Sequence, residues 1–363
     1  MNNIYEVFFT LLKSGIWGYT AVLPRKLTEK EWDEVHAISI EQTVAGIIID
    51  AIGRLPEDYK PRAELRLKWI IQLRTIEKQN RHMNAVLNEL NEEFKLQKIK
   101  YFLLKGQGLA QNYPTPSYRT CGDIDLFFMP NYFEKAINFF TDQGCIIDDD
   151  SDESHASINY KGVEIELHKN SAKFFTKSIQ SEYNRTTTEI IEKESETYTH
   201  INGGEIRVLP PVANALQLLS HMLRHIIFSG LGLRQVCDWA LFVKKYHNCL
   251  NNKIFISSLK ELKLLNIYKA ITIIATEILG LSKEYSLCQT TEQDKKNAKK
   301  ILDIVLKYGN FGHYGEHTIL KTKSDYLKAY CWKVKNCIRF SNLAGCEALS
   351  YPLWQLHTIK KMF

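Results

Sequence analysis

The sequence predicts an α+β fold, a small mixed β-sheet set between helical regions at the two ends of the chain. Three observations predict it. Apolar residues recur at helical spacing up to about residue 97. Short apolar runs with two-residue alternation then occupy 98–210, and helical spacing returns over 211–363. These changes of period divide the chain into an N-terminal helical region (1–97), an α/β region (98–210) and a C-terminal helical region (211–363).

A chain of 363 residues with 45% hydrophobic and 24% charged residues is long enough for two or three domains with real cores. The formal net charge of +6 is compatible with a polyanionic partner without implying one. Eight cysteines form no C-x-x-C pair, so they read as free thiols of a reducing compartment rather than a disulfide framework or a zinc site. No run approaches the roughly 18 apolar residues of a membrane helix, and the N-terminus lacks the pattern of a signal peptide. A soluble, cytoplasmic protein without a membrane partner is expected.

In the first region, residues 39–52 are largely apolar and predict one buried helix. Pro56 and Pro61 break the chain. Residues 62–96 then place Leu65, Trp69, Leu73, Ile76, Met83, Val86, Leu87 and Leu90 on a stripe among charged and amide residues, which predicts a long amphipathic helix. The period changes at Lys100. Residues 101–104 predict a short buried strand ending at Lys105-Gly106, 107–113 a helical turn, and Pro114 and Pro116 a loop. A strand follows over 123–128 and stops at Pro130. Residues 132–143 predict a helix closed by Gly144, 145–147 a strand, and 148–154 an acidic turn with His155 in a loop. Residues 156–160 and 163–168 predict a hairpin around Lys161-Gly162. The polar stretch 171–200 fits a helix or a loop over the site, and 206–209 fits one more strand. Pro210-Pro211 marks the junction to helices over 212–229 and 233–246. Further helices follow, with a loop at 308–315 and an excess of basic over acidic residues beyond 291.

The chemistry concentrates in Gly122-Asp123-Ile124-Asp125-Leu126. On a strand, Asp123 and Asp125 project from one face, and two like charges there call for a neutralising cation. Hard oxygen ligands suit Mg²⁺ or Mn²⁺. A solvated strand end is the alternative. The strand Val163-Glu164-Ile165-Glu166-Leu167-His168 offers three more polar side chains on one face. Laid beside the first strand, one of its glutamates completes the carboxylate trio of a two-metal phosphoryl-transfer site; otherwise it is the exposed face of an edge hairpin. Lys105-Gly106 offers a charge and a backbone that phosphates approach closely, and Arg119 a planar fork. His221 and His225 have the spacing of metal ligands on a helix, but no Glu follows His221 as in H-E-x-x-H, which argues against zinc. With Arg224 and His168 they fit either a role near phosphates or a buried pair.

Taken together, Lys105-Gly106, Arg119…Asp123-Ile124-Asp125-Leu126, the 163–168 strand, Pro211…His221-Met222-Leu223-Arg224-His225 and Arg234…Asp238-Trp239-Ala240-Leu241 resemble the bacterial uncharacterised nucleotidyltransferase family of the DNA-polymerase-β-like superfamily. The resemblance covers roughly residues 65–260. It implies a polymerase-β-like catalytic domain and transfer of a nucleoside monophosphate from an NTP to a hydroxyl, with release of pyrophosphate. Asp123, Asp125 and Glu166 would be catalytic and would hold two Mg²⁺ (or Mn²⁺) ions, with Glu164 in reserve. Lys105, Gly106 and Arg119 would bind the nucleotide. The acceptor stays open among a small molecule, a peptide or protein and an RNA end, as does the oligomeric state. The superfamily's turn commonly has Gly or Ser after its glycine, and here Gln107 follows Gly106. That departure keeps open a non-catalytic nucleotide-binding or antitoxin-like interaction protein, beside a helical interaction protein whose acids merely face water.

Overall fold

The structure is a computed structural model and describes residues 3–149, 155–310 and 323–353. The N-terminal helices are α1 (Asn3–Trp17), α2 (Glu29–Glu41), α3 (Ala45–Gly53) and the 34-residue α4 (Ala63–Leu96). The middle of the chain contributes β1 (Phe102–Leu104), α5 (Gly106–Ala110), β2 (Ile124–Phe127), α6 (Pro130–Asp142), β3 (Ile147–Asp149), β4 (His155–Tyr160) and β5 (Val163–His168). It continues through α7 (Lys177–Lys193), β6 (Thr197–Ile201) and β7 (Gly204–Val208). Helices α8 (Pro211–Phe228), α9 (Leu233–Leu250), α10 (Lys253–Glu261), α11 (Leu265–Glu277), α12 (Glu292–Tyr308), α13 (Lys323–Arg339) and α14 (Ser341–Ala344) complete the described chain. The α+β architecture is the expected one. No described helix is long and apolar enough to cross a membrane. The eight cysteines are free thiols.

Among the described residues, seven strands form one mixed sheet in the order β3-β4-β5-β2-β1-β7-β6. β2 runs parallel to β5 and antiparallel to β1, while β1 runs parallel to β7. Strand alternation gives the sheet two unlike faces. Leu103, Ile124, Leu126, Ile165 and Leu167 point to one side, where they pack with Val86, Leu87, Leu90 and Phe94 of α4 and Phe139 and Phe140 of α6. Phe102, Leu104 and Phe127 point to the other side and join a core shared by α1 to α3, the first half of α4 and the C-terminal helices. α4 therefore serves two cores in succession. At the changeover, Asn80 turns its amide onto the Ser117 and Arg119 carbonyls, at 2.7 and 2.8 Å.

The elements depart from expectation where a distant partner overrules the local pattern. The single helix expected over 39–52 is broken between α2 and α3. Thr43 takes φ +54°, and the Val44 N–H bonds back to the Ser39 carbonyl at 2.9 Å, closing α2. The cause lies in the buried Gln42, whose amide donates to the Val305 carbonyl (2.8 Å) and accepts from the Leu233 N–H (3.0 Å). Asp148 and Asp149, expected in an acidic turn, lie on β3; residues 150–154 lie outside the described residues. His155 opens β4 rather than sitting in a loop, and pairs in register with His168. Within 171–200 the chain forms α7 and then most of β6, a strand the polar sequence hides. Pro130 does not merely stop a strand but starts α6, and Pro211 starts α8, since the missing N–H costs nothing in a first helical turn. Of the loop expected over 308–315, Tyr308 ends α12, and residues 311–315 lie outside the described residues.

Gly46 shows how closely α3 approaches the loop before β2. A Cβ at Gly46 would overlap the Tyr118 carbonyl oxygen and its carbon. Gly46→Ala is expected to cost about 1–3 kcal/mol, the scale of overpacking a filled core. A urea titration followed by circular dichroism reads it as a lower midpoint with an unchanged slope.

Candidate active site

The parallel pairing of β2 and β5 sets the site. The register places Asp125 beside Glu166 and Phe127 beside His168. Asp123, Asp125, Glu164, Glu166 and His168 thus share the sheet face opposite α4 and α6, and they line one cavity of about 1140 Å³. His168 reaches back along the strand. Its Nε2 lies 2.9 Å from Asp125 Oδ1 and 3.2 Å from Glu166 Oε2. Among the described residues, ligand atoms of Asp125, Glu166 and His168 lie within 4.8 Å of one another. Of the expected metal ligands, Asp125 and Glu166 are in this cluster. Asp123 stands just outside it at the head of β2, and Glu164 is exposed on the cavity rim. His168 is the member that carboxylate counting passes over, although its place in the E-x-E-x-H alternation is a local signal.

Lys105 closes the cluster from the β1 side, with its Nζ 2.9 Å from Asp125 Oδ1. Its backbone has φ +46°, a region that side-chain-bearing residues seldom enter, and Gly106 follows at φ +32°. This turn throws the lysine across the face of β2, and such strain is commonly kept where it positions a functional group. Gln107 does not line the cavity. Its side chain is buried against α4, with Nε2 3.4 Å from Met83 Sδ.

The titrations follow the geometry. Burial pushes Asp123 up, and Asp125 adds to it, so that its pKa reaches about 6. Burial alone would raise Asp125 too, but the Lys105 ammonium and the His168 hydrogen bond hold it well below the usual carboxylate range. The His168 hydrogen bond lowers Glu166. Burial works against the charged form of His168, and Asp125 and Glu166 outweigh it, raising the imidazole above its ordinary value. One buried carboxylate is thereby kept ionised beside a second that is easily protonated.

Arg119 is placed differently from expectation. Its guanidinium is buried and closes bidentately on Asp238 of α9 rather than offering its fork to a phosphate, Nε–Oδ1 and Nη2–Oδ2 both 2.7 Å. The Tyr113 hydroxyl donates to the same carboxylate at 2.7 Å, and Arg234 donates to the Thr120 carbonyl at 2.7 Å. Together these bonds tie the segment that delivers Asp123 to α9. Sequence reasoning found Asp238 only as part of a motif, because its partner lies 119 residues away.

The model of a family described as uncharacterised nucleotidyltransferase matches residues 28–280. The chain belongs to that family. The crystal structure of an antigenic nucleotidyltransferase-like protein from Paracoccidioides brasiliensis is similar to it at 13% identity, over 55% of this chain and 92% of that one, with a TM-score of 0.35. No curated protein matches the chain. Membership of that family supports a nucleotidyltransferase role for the chain.

The two histidines of α8 form a pair inside this nucleotidyltransferase-family cavity. Their Nε2 atoms lie 3.0 Å apart, His225 Nδ1 is 2.8 Å from Ser229 Oγ, and Lys105 Nζ is 3.4 Å from His221 Nε2. An ammonium only donates, which assigns the acceptor role to His221 Nε2 and the proton between the rings to His225 Nε2. Burial, then Lys105 for His221 and Arg224 for His225, pushes both imidazoles well below their ordinary value.

Two predictions test this arrangement. Asp238→Asn leaves a buried guanidinium without its counter-charge and is expected to cost about 3–5 kcal/mol in a denaturant titration. The histidines give a pH signature. They bind protons when unfolded, near pH 6.5, and not when folded. The pair's contribution to stability therefore falls as pH drops through 6.5, by up to about 1.4 kcal/mol per pH unit for each imidazole, against the opposite contributions of Asp123 and His168. The His221→Gln, His225→Gln double variant should show a shallower slope between pH 6.5 and 5 than the parent.

Proposed function

We propose that this protein is a metal-dependent nucleotidyltransferase that moves a nucleoside monophosphate from an NTP to a hydroxyl-bearing acceptor and releases pyrophosphate. The observation that carries this reading is the register of β2 on β5. It sets Asp125 beside Glu166 on one sheet face, with Asp123 one pleat away and Lys105 across them.

The donor set fits a hard divalent cation. Asp123, Asp125 and Glu166 offer carboxylate oxygens, and His168 orients two of them, with its Nε2 within ligand reach. Asp123, Asp125 and Glu166 would hold two Mg²⁺ or Mn²⁺ ions, with Glu164 at the rim. Bound there, such ions supply charge neutralisation at the phosphates and a more acidic acceptor hydroxyl. The chain's own groups do the rest. Lys105 and the backbone of the Lys105-Gly106 turn receive the leaving pyrophosphate, and Glu166 takes the proton of the acceptor hydroxyl. As the oxygen–phosphorus bond forms, the α–β anhydride bond breaks on the opposite side. Arg119 has a positioning role, holding the segment before Asp123 through Asp238. Gln107, buried against α4, bears on the departure from the superfamily's turn: its side chain takes no phosphate-facing position.

Incubation with each α-³²P-labelled NTP, Mg²⁺ or Mn²⁺ and a cell extract tests the reading. Label is expected on a low-molecular-weight, protein or RNA fraction. Asp125→Asn should lower it by on the order of 100-fold or more, the scale of losing one group that stabilises transition-state charge, with the circular dichroism unchanged. Undiminished transfer by that variant would overturn the assignment. Metal-dependent NTP binding without transfer would support the non-catalytic nucleotide-binding reading instead.

A further inference from the structure

The cavity continues past the carboxylates, and its far end has a chemistry of its own. In-line displacement puts acceptor and pyrophosphate on opposite sides of the transferred phosphorus. In the sheet, β1 with its Lys105-Gly106 turn flanks β2 on one side and β5 flanks it on the other. With pyrophosphate on the β1 side, the acceptor enters from the β5 side. The chain leaving β5 runs along the cavity wall from Asn170 to Phe175.

There three rings meet. Phe228 at the end of α8 and Tyr351 have centroids 3.6 Å apart, and Phe175 lies 5.0 Å from each. Seven residues of α8 separate Phe228 from His221, so the ring cluster lies roughly 10 Å along the helix from Lys105's neighbour. Lys333 of α13 lines the same end, with its Nζ 6.0 Å from the Tyr351 ring centre. Burial pulls the Lys333 ammonium below its ordinary value, and among the described residues the Cys337 thiol is the one titratable group that opposes this. The nearby carboxylate, Glu347, accepts the backbone N–H groups of Phe175 (2.7 Å) and Thr176 (2.8 Å) and so fixes the loop that carries the ring.

A cation held partly out of water, with no facing carboxylate among the described residues, favours an anion beside it. Three rings also suit a cationic ligand. Here, however, the Lys333 ammonium stands over Tyr351, so a further cation meets like charge.

Building on the nucleotidyltransferase reading above, we propose that Phe175, Phe228, Tyr351 and Lys333 form the acceptor subsite, and that it takes a small hydroxyl-bearing acceptor with a flat ring next to an anionic group. A cationic acceptor such as an aminosugar is excluded.

Calorimetric titration of the full chain with phenyl phosphate, benzylamine and inorganic phosphate tests this. Each is run with and without Mn²⁺ and the αβ-methylene analogue of the NTP. Phenyl phosphate is expected to bind at least tenfold more tightly than benzylamine or phosphate, with nucleotide present. Lys333→Met should weaken it at least tenfold and Lys333→Arg should restore it, while the affinity for the Mn²⁺–nucleotide analogue changes less than twofold. Equal or tighter binding of benzylamine, or phenyl phosphate binding indifferent to Lys333→Met, would overturn the subsite and leave the chemistry at the carboxylates standing. Lys333-dependent phenyl phosphate binding without any nucleotide binding would overturn the acceptor role and the nucleotidyltransferase reading together.

Discussion

Asp125 is a buried carboxylate on the sheet face that lines the cavity, and the site depends on the cations that keep it ionised. Lys105 approaches from β1 and His168 from β5, both onto the same oxygen, Oδ1. Neither approach is available without a particular backbone feature. Lys105 needs a positive-φ turn at the end of β1, and His168 needs β5 parallel to β2 in the observed register. A slip of one residue in that pairing would carry Glu166 and His168 to the face packed on α4 and α6, because side chains alternate with period two. The apolar residues between the acids guard against the slip. Ile124, Leu126, Ile165 and Leu167 are fully buried, and any other register would drive charge into their core. Hydrophobic packing on one face therefore specifies the electrostatics on the other.

The second constraint is the loop that brings the chain into β2. It contains little regular structure, yet α4 and α9 both hold it by hydrogen bonds. Asn80 of α4 takes two of its carbonyls, Arg234 of α9 takes a third, and the Arg119–Asp238 pair ties it again to α9. A buried ion pair contributes less to net stability than its geometry suggests, since both charges lose water. Its better-attested value is specificity. Here it fixes one placement of the sheet against α9, and with it the position of Asp123 in the cavity.

The sequence made some of this legible and hid the rest for physical reasons. The D-x-D and E-x-E-x-H alternations, the Lys161-Gly162 hairpin and the amphipathic stripe of α4 are local patterns, written within a few residues, and the structure forms each of them. Gln42 breaks an apolar run because of carbonyl and N–H partners in α12 and α9, which no window around residue 42 contains. Residues 197–201 are a strand only because β7 lies beside them; Thr197, Tyr198 and His200 carry no strong apolar alternation. Arg119 is the instructive site residue. Spacing alone makes it a candidate for any anion in reach, and a protein carboxylate 119 positions on turns out to be that anion.

Charge varies along the cavity, and the histidines sit where it changes. Four acids gather on the sheet side, while Arg224 and Lys333 line the helical side. Between them His221 and His225 are held neutral, by burial first and by the Lys105 and Arg224 charges next. A protonated imidazole there would add positive charge beside two cations, and a metal would compete with the Lys105 ammonium for His221 Nε2. The i, i+4 spacing that marks metal ligands in other helices therefore does different work on α8. It sets two uncharged rings edge to face so that one hydrogen bond joins their Nε2 atoms, and the helix passes from the carboxylate cluster to the aromatic one with both imidazoles neutral.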